Sequence, residues 1–246
     1  MKLADRLLEL AHTDERAVLF TVVEGPCAGA KLLVLLDRGA EALGDAPASL
    51  ASLAPEIRRS GMQEHEGLKV FAEVYGPPPR LVVVGAVDTA EALCSAAKLL
   101  GWHTVCVDAR AAFATPERIP SADELVVEWP DVALARIAPD RGTAVVVLTH
   151  DLKLDVPALQ AALRTNAFYV AAIGSRKTQA ARREELVAAG VPEPELGRIH
   201  GPAGLDLGAD SPAETALAIL GEALAVRAGR DGTPLKTAAG RIHVEA

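Results

Sequence analysis

Short apolar runs and amphipathic segments alternate along the chain, most clearly over residues 80–110. Residues 81–84 form an unbroken apolar run that meets Gly85, residues 89–100 carry apolar positions at helical spacing, and residues 104–107 form a second β-rich run. Parallel strands need a crossover helix of this kind between them. The pattern therefore predicts one strand–turn–helix–strand unit of a Rossmann-like fold.

The same alternation continues to residue 227. It predicts strands over residues 124–127, 143–148 and 168–173, helices over residues 131–137, 156–163, 174–188 and 211–227, and a glycine-rich loop over residues 201–210. Thr115 and Pro116 have the character of an N-cap followed by proline at the first helical position. Nearly all-apolar strands are typical of parallel sheets that helices cover on both faces. The predicted fold class is α/β, with a Rossmann-like, mostly parallel sheet and helices on both faces.

A smaller α/β pattern precedes this one. It predicts a helix over residues 3–11, strands over residues 17–23, 30–36 and 68–75, a turn at residues 37–39 and a helix over residues 47–59. Three prolines then follow Gly76, and successive prolines favour the extended conformation of a semi-rigid spacer. We expect an N-terminal α/β domain over residues 1–76, a proline linker over 77–79, the Rossmann-like domain over 80–228 and a tail over 229–246.

Composition narrows the class of protein. The chain has 246 residues, 50% of them hydrophobic and 24% charged, which is a globular profile, and only 3% are aromatic. A net charge of −8 argues against nucleic acid as a partner. No apolar run approaches the roughly 18 residues of a membrane span, and the N-terminus lacks the apolar region of a signal peptide. Three cysteines without a C-x-x-C pair suit a reducing compartment. We expect a cytoplasmic protein with no membrane or nucleic-acid partner.

The turn after residue 84 departs from the dinucleotide fingerprint G-x-G-x-x-G/A. The series runs Gly-Ala-Val-Asp-Thr-Ala from Gly85, so the β-branched Val87 stands at the second glycine position and resists φ > 0. Asp88 has capping-box spacing to Glu91, and a carboxylate there would compete with phosphate for the free N–H groups. The turn predicts the fold and argues against ordinary NAD(P) binding.

Three polar clusters follow predicted strands, where ligands bind in doubly wound sheets. They are Asp108-Ala109-Arg110, Thr149-His150-Asp151 and Gly174-Ser175-Arg176. Each cluster alone could be turn chemistry, whereas three at one rim favour a site. The third suits an anion best, because glycine permits close approach of the backbone, a helix start offers free N–H groups, and arginine can bind phosphate with two nitrogens. We therefore predict a phosphate cradle at this third turn.

Other chemistries remain open at the same rim. His150 and Asp151 could be an acid/base pair or, with His200 and Asp206, the metal ligands of a hydrolase, although no spacing pattern connects the four. Ser175 lacks the G-x-S-x-G elbow of a hydrolytic nucleophile.

The remaining candidates are cysteines and helix charges. Cys27 lies in a Gly/Pro loop where its thiol would be accessible and is a candidate reactive group, while Cys94 and Cys106 read as buried small hydrophobes. Arg182 and Arg183 add positive charge to the helix after the third cluster, and a solvated helix face explains them equally well.

Nine segments combine into a recognisable pattern. They are FTVVEG (20–25), GAKLLV (29–34), GD (44–45), GAVD (85–88), VDAR (107–110), AFAT (112–115), LTHD (148–151), IGSRK (173–177) and RIHGPAGLDLGADSPAE (198–214). Together they resemble the XdhC/CoxI family over residues 15–227. Members of that family are accessory proteins in the maturation of molybdenum hydroxylases such as xanthine dehydrogenase.

The resemblance implies a chaperone without turnover. It would bind a molybdopterin-type molybdenum cofactor as cargo, protect it and support exchange of an oxo for a sulfido ligand by a cysteine desulfurase. It would then deliver the cofactor to an apo molybdenum hydroxylase, such as xanthine dehydrogenase or a CO-dehydrogenase-like enzyme. A homodimer is common for such folds. The residues that the resemblance implies to surround the cofactor are Thr149, His150, Asp151, Gly174, Ser175 and Arg176. The predicted cofactor-binding set also includes Gly85, Asp108, Arg110 and Asp206.

The sequence also departs from the family in two places. Many members have a G-x-G-H turn where this chain has residues 85–88, and their longer G-S-x-P-R loop is reduced here to residues 25–29. A different class of function, an NAD(P)-binding oxidoreductase or nucleotide sensor, stays open because Asp108 and Arg110 lie where a ribose contact would sit.

Overall fold

The structure is a computed structural model that describes residues 2–13, 15–36, 41–57 and 59–238. The described residues divide between Pro77 and Pro78 into two compact units, and residues 233–238 group with the first. The turn predicted at residues 37–39 lies outside the described residues. Among the described residues, no helix combines the length and apolar character that crossing a membrane requires.

The first unit is a helix and a five-stranded antiparallel sheet. Its elements are α1 (Leu3–Leu10), β1 (Ala17–Glu24), β2 (Lys31–Leu35), β3 (Ala42–Gly44), β4 (Gly61–His65) and β5 (Leu68–Tyr75), in the sheet order β3-β2-β1-β5-β4. Alternate residues of β1 enter different cores: Val18 and Phe20 pack on one side, and Ala17 and Leu19 join Leu10 of α1 on the other. This is the period of two that a strand covered on both faces requires.

The helix predicted over residues 47–59 is wrong. Two short 3₁₀ helices, Ala48–Ser52 and Ala54–Glu56, occupy its place. Pro55 explains the difference, because proline lacks an N–H donor and disfavours the α conformation in the residue before it. Strands β3 and β4 escaped prediction, since β3 has three residues and β4 reads Gly-Met-Gln-Glu-His, without an apolar alternation.

The second unit confirms the predicted Rossmann-like sheet. Its elements are β6 (Arg80–Val84), α2 (Asp88–Leu99), β7 (His103–Val107), β8 (Glu124–Val126), α3 (Pro130–Ile137), β9 (Thr143–Val147), α4 (Leu152–Leu163), β10 (Tyr169–Ala172), α5 (Arg176–Ala188), α6 (Glu193–Leu196), β11 (Ile199–His200) and α7 (Pro212–Arg227). All its strand pairs are parallel, in the order β11-β10-β9-β6-β7-β8. The strand order reverses between β6 and β9, which is the switch point where ligands of such sheets bind.

Helices cover both faces of this sheet, as the sequence predicts. Leu81 and Val83 of β6 enter the core beneath α2 and α7, while Val82 and Val84 enter the core beneath α3 and α4. Helix α7 begins with the predicted capping box, in which the Ser211 hydroxyl accepts the Glu214 N–H. Helices packed on both faces of the sheet therefore hold the carboxyl ends of its strands in place.

Two predicted helix starts need correction. Val87, not Asp88, is the N-cap of α2, and Glu91 accepts hydrogen bonds from the Ser121 N–H and hydroxyl instead of capping the helix. No helix begins at Thr115, where the chain forms only turns. The Arg118 and Ile119 N–H groups donate to the Thr115 carbonyl, and Pro120 has no N–H with which to extend this single turn into a helix.

The two cysteines predicted to be buried are confirmed as such. Cys94 and Cys106 are inaccessible in the second unit, and burial raises the pKa of Cys94 to about 12 and the pKa of Cys106 as well. Both thiols therefore stay protonated at neutral pH. Cys27 is half-buried and packs beside the core of the first unit.

Candidate functional site

The ends of β6 and β9 touch at the switch point, and Gly85 makes that contact possible. Gly85 has φ +109°, and a Cβ atom there would lie 2.7 Å from Thr149 Cγ2 and 3.2 Å from the Thr149 nitrogen. The Leu148 N–H also donates to the Val84 carbonyl at 2.8 Å. We call residues 85–88 the β6 turn. Because Gly85 packs closely against Thr149, no gap is left between the carboxyl ends of β6 and β9.

Asp108, at the end of β7, is a buried acceptor for its own chain. Its Oδ2 accepts the Ala86 N–H at 2.9 Å and Arg110 Nη2 at 2.7 Å, and its Oδ1 accepts Arg110 N and Nε at 2.9 Å each. Burial alone would raise the pKa of Asp108, but the hydrogen bonds from Arg110 and Ala86 hold that pKa below its ordinary value of 3.8. The Asp108 carboxylate is therefore charged, and each of its oxygens accepts two hydrogen bonds. Arg110 Cζ also lies 4.1 Å from the centroid of the Phe113 ring.

The second cluster, after β9, divides into a buried and an exposed part. The buried Thr149 hydroxyl donates to Asp155. Asp151 caps α4 by accepting the Lys153 N–H at 3.0 Å, and His150 is exposed and makes no hydrogen bond or ion pair within the described chain. The pKa of Arg110 is raised first by its hydrogen bond to Asp108 and further by the charge of Asp151. The clusters that follow β7 and β9 thus interact electrostatically.

A buried network beneath this rim escaped prediction. Arg182 donates to Asp155 Oδ2 at 3.0 and 2.5 Å, to the Ile173 carbonyl at 3.2 Å and to Gln179 Oε1 at 2.7 Å. Gln179 in turn donates to the carbonyls of Ala172 and Ile173 at 2.9 and 3.2 Å. The network fixes the last carbonyls of β10 against α4 and α5. Arg182 is therefore neither a site cation nor part of a solvated face.

The third cluster forms the start of α5, which we call the α5 turn (residues 174–177). Gly174 has φ +122°, and Ser175 is the N-cap, its hydroxyl accepting the Thr178 N–H at 3.2 Å. Arg176 and Lys177 are exposed and have no hydrogen-bond or ion-pair partner among the described residues. A helix start beside two uncommitted cations is suited to an anion.

The remaining candidates lie on the far side of β10. His200 Nδ1 lies 3.0 Å from Glu222 Oε1, and Tyr169 and the Gly204 N–H donate to Glu222 Oε2 at 2.5 and 2.7 Å. Asp206 is exposed in the loop that follows. In the described part of the chain, no group of three or more His, Cys, Asp or Glu side chains could hold a metal ion. His150, Asp151 and His200 therefore do not assemble the metal centre that a hydrolase would need.

Comparison with known proteins decides the family. Residues 81–223 match the XdhC Rossmann domain. The chain belongs to the XdhC family. It is 28% identical over 158 residues, 64% of this chain and 46% of the relative, to a probable xanthine dehydrogenase subunit from Bacillus subtilis (strain 168). It is 31% identical over 160 residues, 65% of this chain and 44% of the relative, to the molybdenum cofactor insertion chaperone PaoD of Escherichia coli (strain K12).

The crystal structure of a xanthine dehydrogenase from Bacillus halodurans has the same fold as this XdhC-family chain. The TM-score is 0.65 with 22% identity, over 93% of this chain and 68% of that one. The chain spans less than half the length of the curated relatives described above. The family resemblance seen in the sequence is confirmed, and the fold comparison extends over both units.

A cavity of about 420 Å³ lies at the opposite, amino edge of the sheet, away from the three clusters. Arg198 in its wall already donates to the Leu163 carbonyl and pairs with Glu195, both at 2.6 Å. We place the candidate site of this XdhC-family chain at the carboxyl edge, because the switch point between β6 and β9 and the exposed cations that follow β10 both lie at that edge.

Proposed function

We propose that this XdhC-family chain binds a molybdopterin-type molybdenum cofactor as cargo at the carboxyl edge of its parallel sheet and delivers it to a molybdenum hydroxylase. The observation that supports this function is the α5 turn. There Arg176 and Lys177 present free charges at the start of a 13-residue helix. A phosphate on the cargo would receive N–H groups from the helix start and the fork of Arg176. A relative named as a molybdenum cofactor insertion chaperone supports the same cargo.

The other residues of the site would take different roles. His150 and Ser175 would contact the cargo from the ends of β9 and β10, and Asp206 from the loop after β11. Asp108, Arg110 and Thr149 hold the floor through their internal hydrogen bonds. Gly85, Gly174 and Asp151 shape the turns themselves. Every member of the set therefore either faces the cargo or fixes the backbone beneath it.

We further propose that the chain acts without turnover, as a carrier. Enclosed at the edge of the sheet, the cargo would be protected until a cysteine desulfurase exchanges its oxo for a sulfido ligand and the apo molybdenum hydroxylase accepts it. None of these steps requires chemistry from the chain itself. Burial raises the pKa values of Cys94 and Cys106 and keeps both thiols protonated, so Cys27 is the candidate reactive thiol.

The substitution Arg176→Ala tests this function. We expect the purified variant to retain roughly ten-fold less cofactor or worse, because a charge-assisted hydrogen bond is worth about 1.5–3 kcal/mol. Retention is measured as the pterin released on denaturation, and activation of an apo molybdenum hydroxylase should fall in parallel. Circular dichroism confirms that the variant folds.

Arg183→Ala is the matched control on the same helix. Arg183 is also exposed, but it pairs with Glu193 and lies two turns from the α5 turn. We expect this variant to retain cofactor as the parent chain does. Equal retention by the Arg176 variant and the control would contradict the proposed anchor. Micromolar binding of NAD(H) or NADP(H) by the parent chain would favour the nucleotide-binding alternative instead.

A further inference from the structure

The parallel sheet ends at β8 with an open edge. β8 is the last strand in the order of the sheet, and among the described strands it pairs only with β7. The Asp108 N–H donates to the Val126 carbonyl at 3.1 Å, so the backbone groups of Val126 face β7. Because neighbouring residues of a strand direct their backbone groups to opposite sides, the N–H and carbonyl groups of Leu125 and Val127 face away from β7. These outward groups are a template for pairing with another strand.

Apolar side chains are exposed beside this open edge. Val127, Trp129 and Val132, which follow β8 and begin α3, are 48%, 55% and 56% exposed. The chain has two tryptophans, and the other, Trp102, is buried. Tryptophan is enriched among the residues that carry most of the binding energy of protein interfaces. We call residues 123–132 the β8 edge. Its free backbone groups and exposed ring suit an extended peptide segment, which adds a strand to a sheet.

The charge of the β8 edge indicates what kind of segment fits. Residues 123–132 contain four carboxylates and no lysine or arginine. Lys98, His103 and Arg136 lie 3.2, 2.8 and 3.4 Å from three of these carboxylates, and Asp131 is exposed without an ion-pair partner among the described residues. The surface therefore keeps a net negative charge while His103 is neutral. A segment with lysine or arginine side chains complements it.

A second copy of this chain fits the β8 edge poorly. If Leu125 and Val127 exchanged hydrogen bonds with the same two residues of an antiparallel copy, Glu124 of each copy would lie opposite Glu128 of the other. Like charges directly opposite each other destabilise a strand pair. The occupant that matches both the backbone and the charge is a different protein chain.

We propose that the β8 edge docks an extended, basic segment of a partner protein. The segment pairs its backbone with Leu125 and Val127 and packs an apolar side chain on Trp129. Its lysine or arginine side chains lie beside the carboxylates of the edge, Asp131 among them. This docking uses no residue of the three polar clusters and does not depend on bound cofactor.

A fluorescein-labelled peptide of alternating valine and lysine, about nine residues long, tests the proposal on the full chain. We expect saturable binding by fluorescence anisotropy, weakened about ten-fold or more when glutamate replaces lysine. A lysine peptide that is methylated at every backbone nitrogen keeps its charge but cannot donate to a strand, so it should not bind. Equal binding of the methylated and unmethylated peptides, or no saturable binding of the lysine peptide, overturns the proposal.

Two variants test whether the peptide binds at the β8 edge. Val127→Pro removes an outward N–H, which edge strands tolerate, and Trp129→Ala removes the exposed ring. Each should weaken peptide binding about ten-fold or more. Val187→Ala, at a side chain of α5 that is 53% exposed, is the matched control and should bind as the parent chain does.

Parental affinity of a folded Trp129→Ala variant overturns the assignment to this edge, and it decides the question even if Val127→Pro does not fold. Sedimentation velocity tests the other occupant. A dimer of the parent chain that Val127→Pro dissociates would show that a second copy covers the edge, and would also overturn the proposal.

Discussion

At the scale of single residues, the backbone beneath the candidate site is held by a buried ion pair between Arg182 and Asp155. The Arg182 and Asp155 side chains are 1% and 0% exposed, and they connect α5 to α4 directly beneath the rim. Removing one partner of such a pair leaves an uncompensated buried charge. The pair therefore has a structural role that can be separated from cargo binding.

We expect Arg182→Met to lower the free energy of unfolding by about 3–5 kcal/mol, because methionine replaces the length of the side chain but leaves Asp155 charged and unpaired. Urea denaturation followed by circular dichroism measures the change. Arg183→Met, one residue along on the exposed face, should stay within about 0.5 kcal/mol of the parent chain. If Arg182→Met lowered the free energy of unfolding no more than Arg183→Met does, the Arg182–Asp155 pair would not stabilise the fold.

Arg182 and Arg183 are adjacent in the sequence, yet the first is buried and the second is exposed. The sequence alone predicts only part of this difference. Arg182 shares its buried face with Leu186, four residues on, so helical periodicity contained a signal for its burial. Its partner Asp155 is 27 residues away, and only the packing of α4 against α5 brings the two together. The glycine, the cap and the exposed arginine of the α5 turn were predictable because each follows from local backbone chemistry.

Gly85 is the second residue near the candidate site whose substitution should lower the stability of the fold. We expect Gly85→Ala to lower the free energy of unfolding by roughly 2–4 kcal/mol, because it combines strain at positive φ with crowding against Thr149. Gly101→Ala is the control, since Gly101 also has positive φ but has no atom near its added Cβ. The control should lose only about 1–2 kcal/mol. Equal losses measured by urea denaturation would rule out the crowding at the switch point.

At the scale of elements, long parallel strands and the capped helix α7 were predictable, and short or interrupted elements were not. Four of the five side chains of β6 are apolar and consecutive. Such a strand is stable only in a sheet that is covered on both faces, so its sequence predicts its environment. Proline turned the expected helix over residues 47–59 into 3₁₀ turns, and β11, with two residues, exists only because β10 lies beside it. Local signals are decisive only where an element is long enough to bury a face by itself.

Glu222 joins α7 to three neighbouring elements and makes that connection dependent on pH. Burial favours its neutral form, but hydrogen bonds from His200, Tyr169 and Gly204 hold the pKa of Glu222 below its ordinary value of 4.5. The unfolded chain therefore binds this proton more tightly than the folded chain. The stabilisation is present above pH 4.5 and is lost as the pH falls through the lower folded-state pKa.

We expect Glu222→Gln to flatten the acid side of the stability curve. The parent chain should lose unfolding free energy as the pH falls from about 5 to about 3, and the variant should lose less over the same interval. Asp206→Asn removes an exposed carboxylate in the loop between β11 and α7, serves as the control and should follow the parent curve. Identical slopes for the parent and Glu222→Gln would mean that this carboxylate does not couple α7 to pH.

At the scale of the whole molecule, each unit has cores of its own. The first unit buries residues on both sides of an antiparallel sheet, and the second buries residues on both sides of a parallel one. The described chain divides between Pro77 and Pro78. All residues of the candidate site lie in the second unit, since its three polar clusters follow β7, β9 and β10 and Asp206 lies in the loop after β11. One stretch of chain therefore contains two cores of its own and every residue of the proposed cargo site.

We expect a fragment of residues 78–232 to fold on its own and to keep the cofactor affinity of the full chain within about three-fold. Cooperative thermal unfolding of the fragment would show that its two cores suffice, because a fragment that lacked part of its core would unfold without a sharp transition. The Arg176→Ala version of the fragment is the matched control for binding. A folded fragment that binds cofactor no better than this control would place an essential contact in the first unit, where Cys27 and the shortened loop at residues 25–29 would then be the first residues to test.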